Sequence, residues 1–258
     1  MRHLILVPAL ALTACKVIDA PDDLEALVVY GFVHFTEDDD AYQQAAAEGL
    51  IPYTSLNRAE LETGYRVDNL TVADLAAAGV TSSAEIDILG AAATTAMTSS
   101  LDDIAWVVTT ADMTQVQLRT VGYEATGVGD VDCFLAHACD TYSLSGTRST
   151  DTGFFGVSEQ DFSREWRWIT LQDGTVALVQ RELAPTPARM SSSVFVLQQQ
   201  YAYSVFFPEG TGTRRMETLW VDARLIGMDV PDTWALDRAV EAMQGNAGQL
   251  DAYIAENR

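Results

Sequence analysis

Apolar positions recur at helical spacing in the first third of the chain. Leu24, Leu27, Val28, Phe32 and Phe35 share one face behind Asp22, which can cap, so residues 21–35 are predicted as an amphipathic helix. The run Thr36-Glu37-Asp38-Asp39-Asp40 lacks the alternating ligand spacing of an EF-hand calcium loop. It reads instead as an acidic first turn opposing the helix dipole, with a helix from about Asp38 stopping at Gly49. Thr71 with Asp74, and Ser82 with Glu85, have capping-box spacing ahead of short alanine-rich helices, the first closing at Gly79.

From about residue 114 the period changes to two, with Thr, Val, Tyr and Trp enriched. Ser163 to Leu171 and Thr175 to Leu183 flank Gln172-Asp173-Gly174, a tight-hairpin signal. Ser193 to Phe207 follows, with Phe195, Leu197, Gln199, Tyr201, Tyr203, Val205 and Phe207 on one inward face. In Arg214 to Ile226, Leu219, Val221, Ala223 and Leu225 share a side. Leu144 to Gly156, rich in Ser, Thr and Gly, is expected to be a mobile surface loop. After Pro231, Asp232 can cap a helix carrying Leu236, Val240 and Met243, which Gly245 ends or kinks. These elements predict an α+β fold: an antiparallel meander of about five to seven strands with helices covering one face of a curved sheet. Residues 21–258 are expected to form a single domain, mainly helical over 21–110, mainly β over 111–227 and helical over 232–256.

The N-terminus follows a different pattern. Arg2 and His3 precede an apolar stretch from Leu4 to Leu12, and Leu12-Thr13-Ala14-Cys15 places small residues just before a cysteine. As a helix, Leu4 to Ala14 would span only roughly 17 Å of a hydrocarbon layer about 30 Å thick, too little to cross it. The tetrapeptide resembles the lipobox of bacterial lipoprotein signal peptides. That resemblance implies cleavage after residue 14, diacylglycerol on the Cys15 thiol, a tether over residues 15–20, and a membrane partner reached through the lipid. Lys16 stands where an Asp would resemble an inner-membrane retention signal, so an outer-membrane location is expected over an inner one.

Removing Cys15 leaves Cys133 and Cys139, an even pair in a chain expected to reach an oxidising compartment, and a disulfide is the natural inference. Free thiols and a metal site with His137 are the competing readings. The second ligand pair that a structural zinc site favours is missing, so no metal is expected.

Composition narrows the chemistry further. The formal charge of −22 disfavours phosphate backbones, so nucleic acid is not expected as a partner. Lys16 is the only lysine and belongs to the tether, which excludes Schiff-base and P-loop chemistry. No Gly-x-Ser-x-Gly elbow, His-Glu-x-x-His pair or Gly-x-Gly-x-x-Gly turn occurs. Arg164-Glu165-Trp166-Arg167-Trp168 reads as alternating strand faces, with Arg stems covering tryptophan.

The expectation is a non-catalytic envelope lipoprotein without a cofactor. It would bind an apolar small molecule, in a cavity near Tyr201, Tyr203 and Trp220, or a partner protein. An envelope hydrolase using paired carboxylates, and a structural or surface-interaction lipoprotein, are the alternatives.

Overall fold

A computed structural model describes residues 18–56, 58–81, 88–226 and 232–258. Cys15, Ser82 and Glu85 lie outside the described residues. In chain order the helices are α1 (Leu24–Val33), α2 (Ala41–Leu56), α3 (Arg58–Thr63), α4 (Val72–Ala77), α5 (Leu101–Thr110), α6 (Val131–Leu135) and α7 (Asp232–Asn257). The strands are β1 (Tyr65–Leu70), β2 (Ile88–Met97), β3 (Thr120–Val128), β4 (Thr141–Asp151), β5 (Val157–Thr170), β6 (Val176–Ala184), β7 (Arg189–Met190), β8 (Phe195–Glu209) and β9 (Gly212–Leu225). Among the described residues no helix is long and apolar enough to cross a membrane.

The class is α+β, with one curved antiparallel sheet and a C-terminal helix. Its strand order is β1-β2-β9-β8-β6-β5-β4-β3, with β7 pairing only β5. The expected meander is present from β3 to β9. The sheet has nine strands where five to seven were expected, because β1 and β2, in the supposedly helical third, join at the β9 edge.

Strand alternation divides the interior into two layers. On one face Tyr201, Tyr203 and Val205 of β8, Trp220 of β9 and Val179 of β6 pack with Leu27, Val28 and Phe32 of α1, Leu50 of α2 and Leu75 of α4. On the other, Trp166 and Trp168 of β5, Leu178 of β6 and Phe206 of β8 pack with Ile104, Val107 and Val108 of α5 and Leu250 and Ile254 of α7. Helices therefore cover both faces of the sheet, where one was expected.

Several local readings change for related reasons. Asp23, not Asp22, caps α1, its carboxylate accepting from the Ala26 N–H at 2.8 Å. Helix α2 runs through Gly49 instead of stopping there: a Cβ at residue 49 would press on the Leu27 side chain, so this glycine serves close packing of α2 on α1. Gly245 likewise lies inside the continuous α7, where Leu118 occupies the space a side chain would need. Leu144 to Gly156 is mostly strand, because its Ser and Thr backbone is paired on both sides, by β3 and β5. The Thr71–Asp74 capping box opens α4 with both of its reciprocal bonds in place.

Candidate functional site

The face under α5 and α7 is incompletely filled. Ser100 starts α5, its hydroxyl accepting from the Asp103 N–H at 3.2 Å, and the turn after the helix buries Met113 and Val116. The Leu118 N–H then donates to Asn246 Oδ1 at 2.8 Å, tying this turn to α7. On α7, Val240, Met243, Ala247, Leu250 and Ile254 fall at helical spacing and are all buried. Ala91 and Ala93 of β2 let one end of the helix lie close to the sheet. Between these elements and the strands lies a cavity of about 320 Å³.

Roof and floor of this cavity differ in chemistry. Val108, Met113, Val116, Met243 and Leu250 form an apolar roof. The floor carries Arg148 of β4, Arg164 of β5, Gln180 and Glu182 of β6, and Arg215 and Glu217 of β9. Arg119, Arg238 and Glu241 also line it.

Charges buried this deeply are tolerable only when paired. Glu182 Oε1 accepts from Arg148 Nη1 at 3.0 Å and from Gln200 Nε2 at 3.4 Å. Its Oε2 accepts from Arg164 Nε at 2.8 Å and from Arg164 Nη2. Burial acts to raise the Glu182 carboxyl, but the Arg148 and Arg164 guanidiniums outweigh it and bring it down to about 2. The second pair is less complete. Arg215 Nη2 lies 2.5 Å from Glu217 Oε1, while Arg215 Nε and Glu217 Oε2 are buried without a hydrogen-bond partner. Burial pushes the Glu217 carboxyl up and the Arg215 guanidinium down, each opposed by the other's charge. The Phe206 ring lies 5.2 Å from the Arg215 guanidinium.

No family model and no curated protein matches this chain. Among solved structures it is similar to a STAR-related lipid transfer protein fragment from Xanthomonas axonopodis, at 14% identity and TM-score 0.45, covering 65% of this chain and 86% of that one. Human StAR-related lipid transfer protein 5 is 9% identical with TM-score 0.42, over 84% and 99% of the two chains. Ara h 8.0201 is 10% identical with TM-score 0.38, over 66% and 99%. Likenesses this distant leave the function to be argued from the residues of this chain.

The cavity expected near Tyr201, Tyr203 and Trp220 is not where those residues lie. All three belong to the closed face, at most 1% exposed, and none lines the cavity. Tyr203 donates to Gln43 Oε1 at 3.0 Å and Trp220 Nε1 to the Asp68 carbonyl at 2.9 Å. Phe32 packs on both Tyr201 and Trp220, with ring centroids 5.9 and 5.5 Å apart. Burial pushes the Tyr201 hydroxyl up to about 12, with the charge of Asp222 adding. These side chains faced inward as expected, but toward α1 and not toward a ligand space.

Cys133 and Cys139 are joined in a disulfide that closes the turn after α6. Within that turn His137 adopts φ 54°, stacks on Trp168 at 4.0 Å and reaches Asp102 Oδ1 in the first turn of α5 at 3.0 Å. This contact holds the disulfide loop against the helix that roofs the cavity. His34 stacks on Tyr42 at 4.7 Å and does not line the cavity. Of the Arg164-to-Trp168 run, the Arg164 guanidinium sits 6.0 Å from the Trp166 ring centroid, and it also enters the Glu182 pair. Arg148, Glu182, Arg215 and Glu217 were missed by sequence reasoning. The signal open to it was their alternation with core residues inside long strands.

Proposed function

We propose that this protein is an exported, lipid-anchored binding protein that holds a small molecule with an apolar body between the sheet and α5 with α7. The observation carrying the binding reading is the unfilled space of about 320 Å³ beneath a roof of Val, Met and Leu side chains. A packed interior leaves few voids larger than a water molecule, and this volume lies at the lower end of small-molecule sites. The export reading rests on the Leu12-Thr13-Ala14-Cys15 motif behind a short apolar stretch.

A paired-carboxylate hydrolase is the second reading, because Glu182 and Glu217 line the same cavity. Chemistry disfavours it: both Glu182 oxygens are engaged by guanidiniums, leaving neither free to attack a substrate or activate a water.

Titration of the full chain with N-phenyl-1-naphthylamine, which brightens in apolar surroundings, tests the binding reading. Saturable enhancement in the parent protein, lost in Met243→Trp with an unchanged far-ultraviolet circular dichroism spectrum and cooperative unfolding, is expected. No saturable enhancement, or an unchanged one in the filled variant, would overturn it. Mass analysis of the native N-terminus tests export: a diacylglyceryl-modified Cys15 is expected, and a retained Met1 would sink that reading.

A further inference from the structure

The cavity runs against the charge of the chain that encloses it. The sequence holds 37 acidic and 15 basic residues. The lining nevertheless contains five arginines, Arg119, Arg148, Arg164, Arg215 and Arg238, against three glutamates, Glu182, Glu217 and Glu241. On a protein of net charge −22 this is a local positive site.

Its arginines are not equally committed. Arg148 and Arg164 are held by Glu182, and Arg238 by Glu241 at 2.5 Å. Arg215 is held on one side only. Its side chain is 10% exposed, Nη2 meets Glu217, and Nε is buried without a partner. A buried donor left unmade destabilises the fold, and a charged acceptor is the group that would recover most of that loss. Arg119 adds positive charge to the lining from a backbone held at φ 60°, a conformation that is strained for arginine.

Taking the ligand-binding reading above as its basis, we propose that the ligand is a compact organic anion, its apolar body under α5 and α7 and its carboxylate or phosphate head at Arg215. The same oxyanion chemistry serves either head, and the guanidinium fork accepts both. Glu217 then tunes the site: it balances Arg215 while the cavity is empty and competes with the head for it.

Calorimetric titration of the full chain with decanoate, decyl phosphate, decanol and decylamine tests this assignment. At least one of the two anions should bind about tenfold or more tighter than decanol, with decylamine weakest. The better anion identifies the head. Arg215→Gln should abolish the preference while leaving decanol binding intact, which also shows that the variant is folded. Glu217→Gln should strengthen anion binding. Decanol binding as tightly as both anions, or decylamine binding more tightly, would overturn the anion assignment and leave the cavity reading standing. Failure of all four probes to bind protein with a native near-ultraviolet spectrum would overturn both.

Discussion

The two faces of the sheet bury side chains of similar size for different ends. Under α1, α2 and α4 the large residues fit one another, and their polar atoms find near partners: Tyr203 with Gln43, Trp220 with the Asp68 carbonyl, and Arg181 with Glu165 at 2.7 Å. Under α5 and α7 the same strands present Arg148, Arg164, Glu182, Arg215 and Glu217 to a space that the helices do not fill. One face holds the sheet to its helices. The other is built around a gap, and the interactions lining it are arranged around charge.

The largest effect that separates them is expected from Trp220→Ala. It removes a fully buried ring and its bond to Asp68, at a cost of about 5 kcal/mol, near the top of the range for aromatic truncation. Denaturant unfolding reads that loss. Where enough protein stays folded, N-phenyl-1-naphthylamine affinity should be unchanged, and a parallel loss would erase the distinction between the faces.

Glu182→Gln is next, at about 3 kcal/mol, because it leaves two buried guanidiniums without their counter-charge. It also carries a pH signature. A folded value of about 2 against an ordinary 4.5 means that the Glu182 contribution is fully present above about pH 4.5 and is lost as pH falls toward 2. Acid unfolding of the variant should lack that component. Identical acid profiles would show that the floor cluster does not stabilise the fold.

Replacing Cys133 and Cys139 together with serine should cost about 2 kcal/mol by loop entropy, since the bridge closes a loop of sequence separation 6. The loss should centre on the α6 turn, read as faster hydrogen exchange there and at the Asp102 end of α5. The smallest effect, about 1 kcal/mol, is expected for Ser100→Ala, which removes the α5 cap. Because that helix roofs the cavity, the change should weaken probe binding as well as stability, whereas Thr71→Ala at the α4 cap should weaken stability alone.

Strands with one clear inward pattern and a strong turn were legible in the sequence. The Asp173-Gly174 hairpin joins β5 to β6, with Gly174 at φ 86°, and the Tyr201-to-Phe207 alternation faces the core as read. Strand β2 was not legible, because it is buried on both sides. Ala91 and Ala93 pack toward α7 and Ala92 toward the α1 layer, so a near-continuous alanine run replaces any alternation and resembles a helix. The site was illegible for a related reason. Arg164 and Glu182 are 18 residues apart and meet only through the β5–β6 register, and their partners come from other strands. A charge on a strand is ordinarily read as facing solvent, and nothing local reveals that α7, beginning at Asp232, will cover it.

A crystal structure of the full chain grown with decanoate at saturating concentration shows whether the face under α5 and α7 takes a ligand. The alkyl chain is expected against Val108, Met113 and Met243, with its carboxylate within hydrogen-bond distance of the Arg215 guanidinium. Decanoate ordered instead among Phe32, Tyr201 and Trp220, or an empty cavity at saturation, would contradict it.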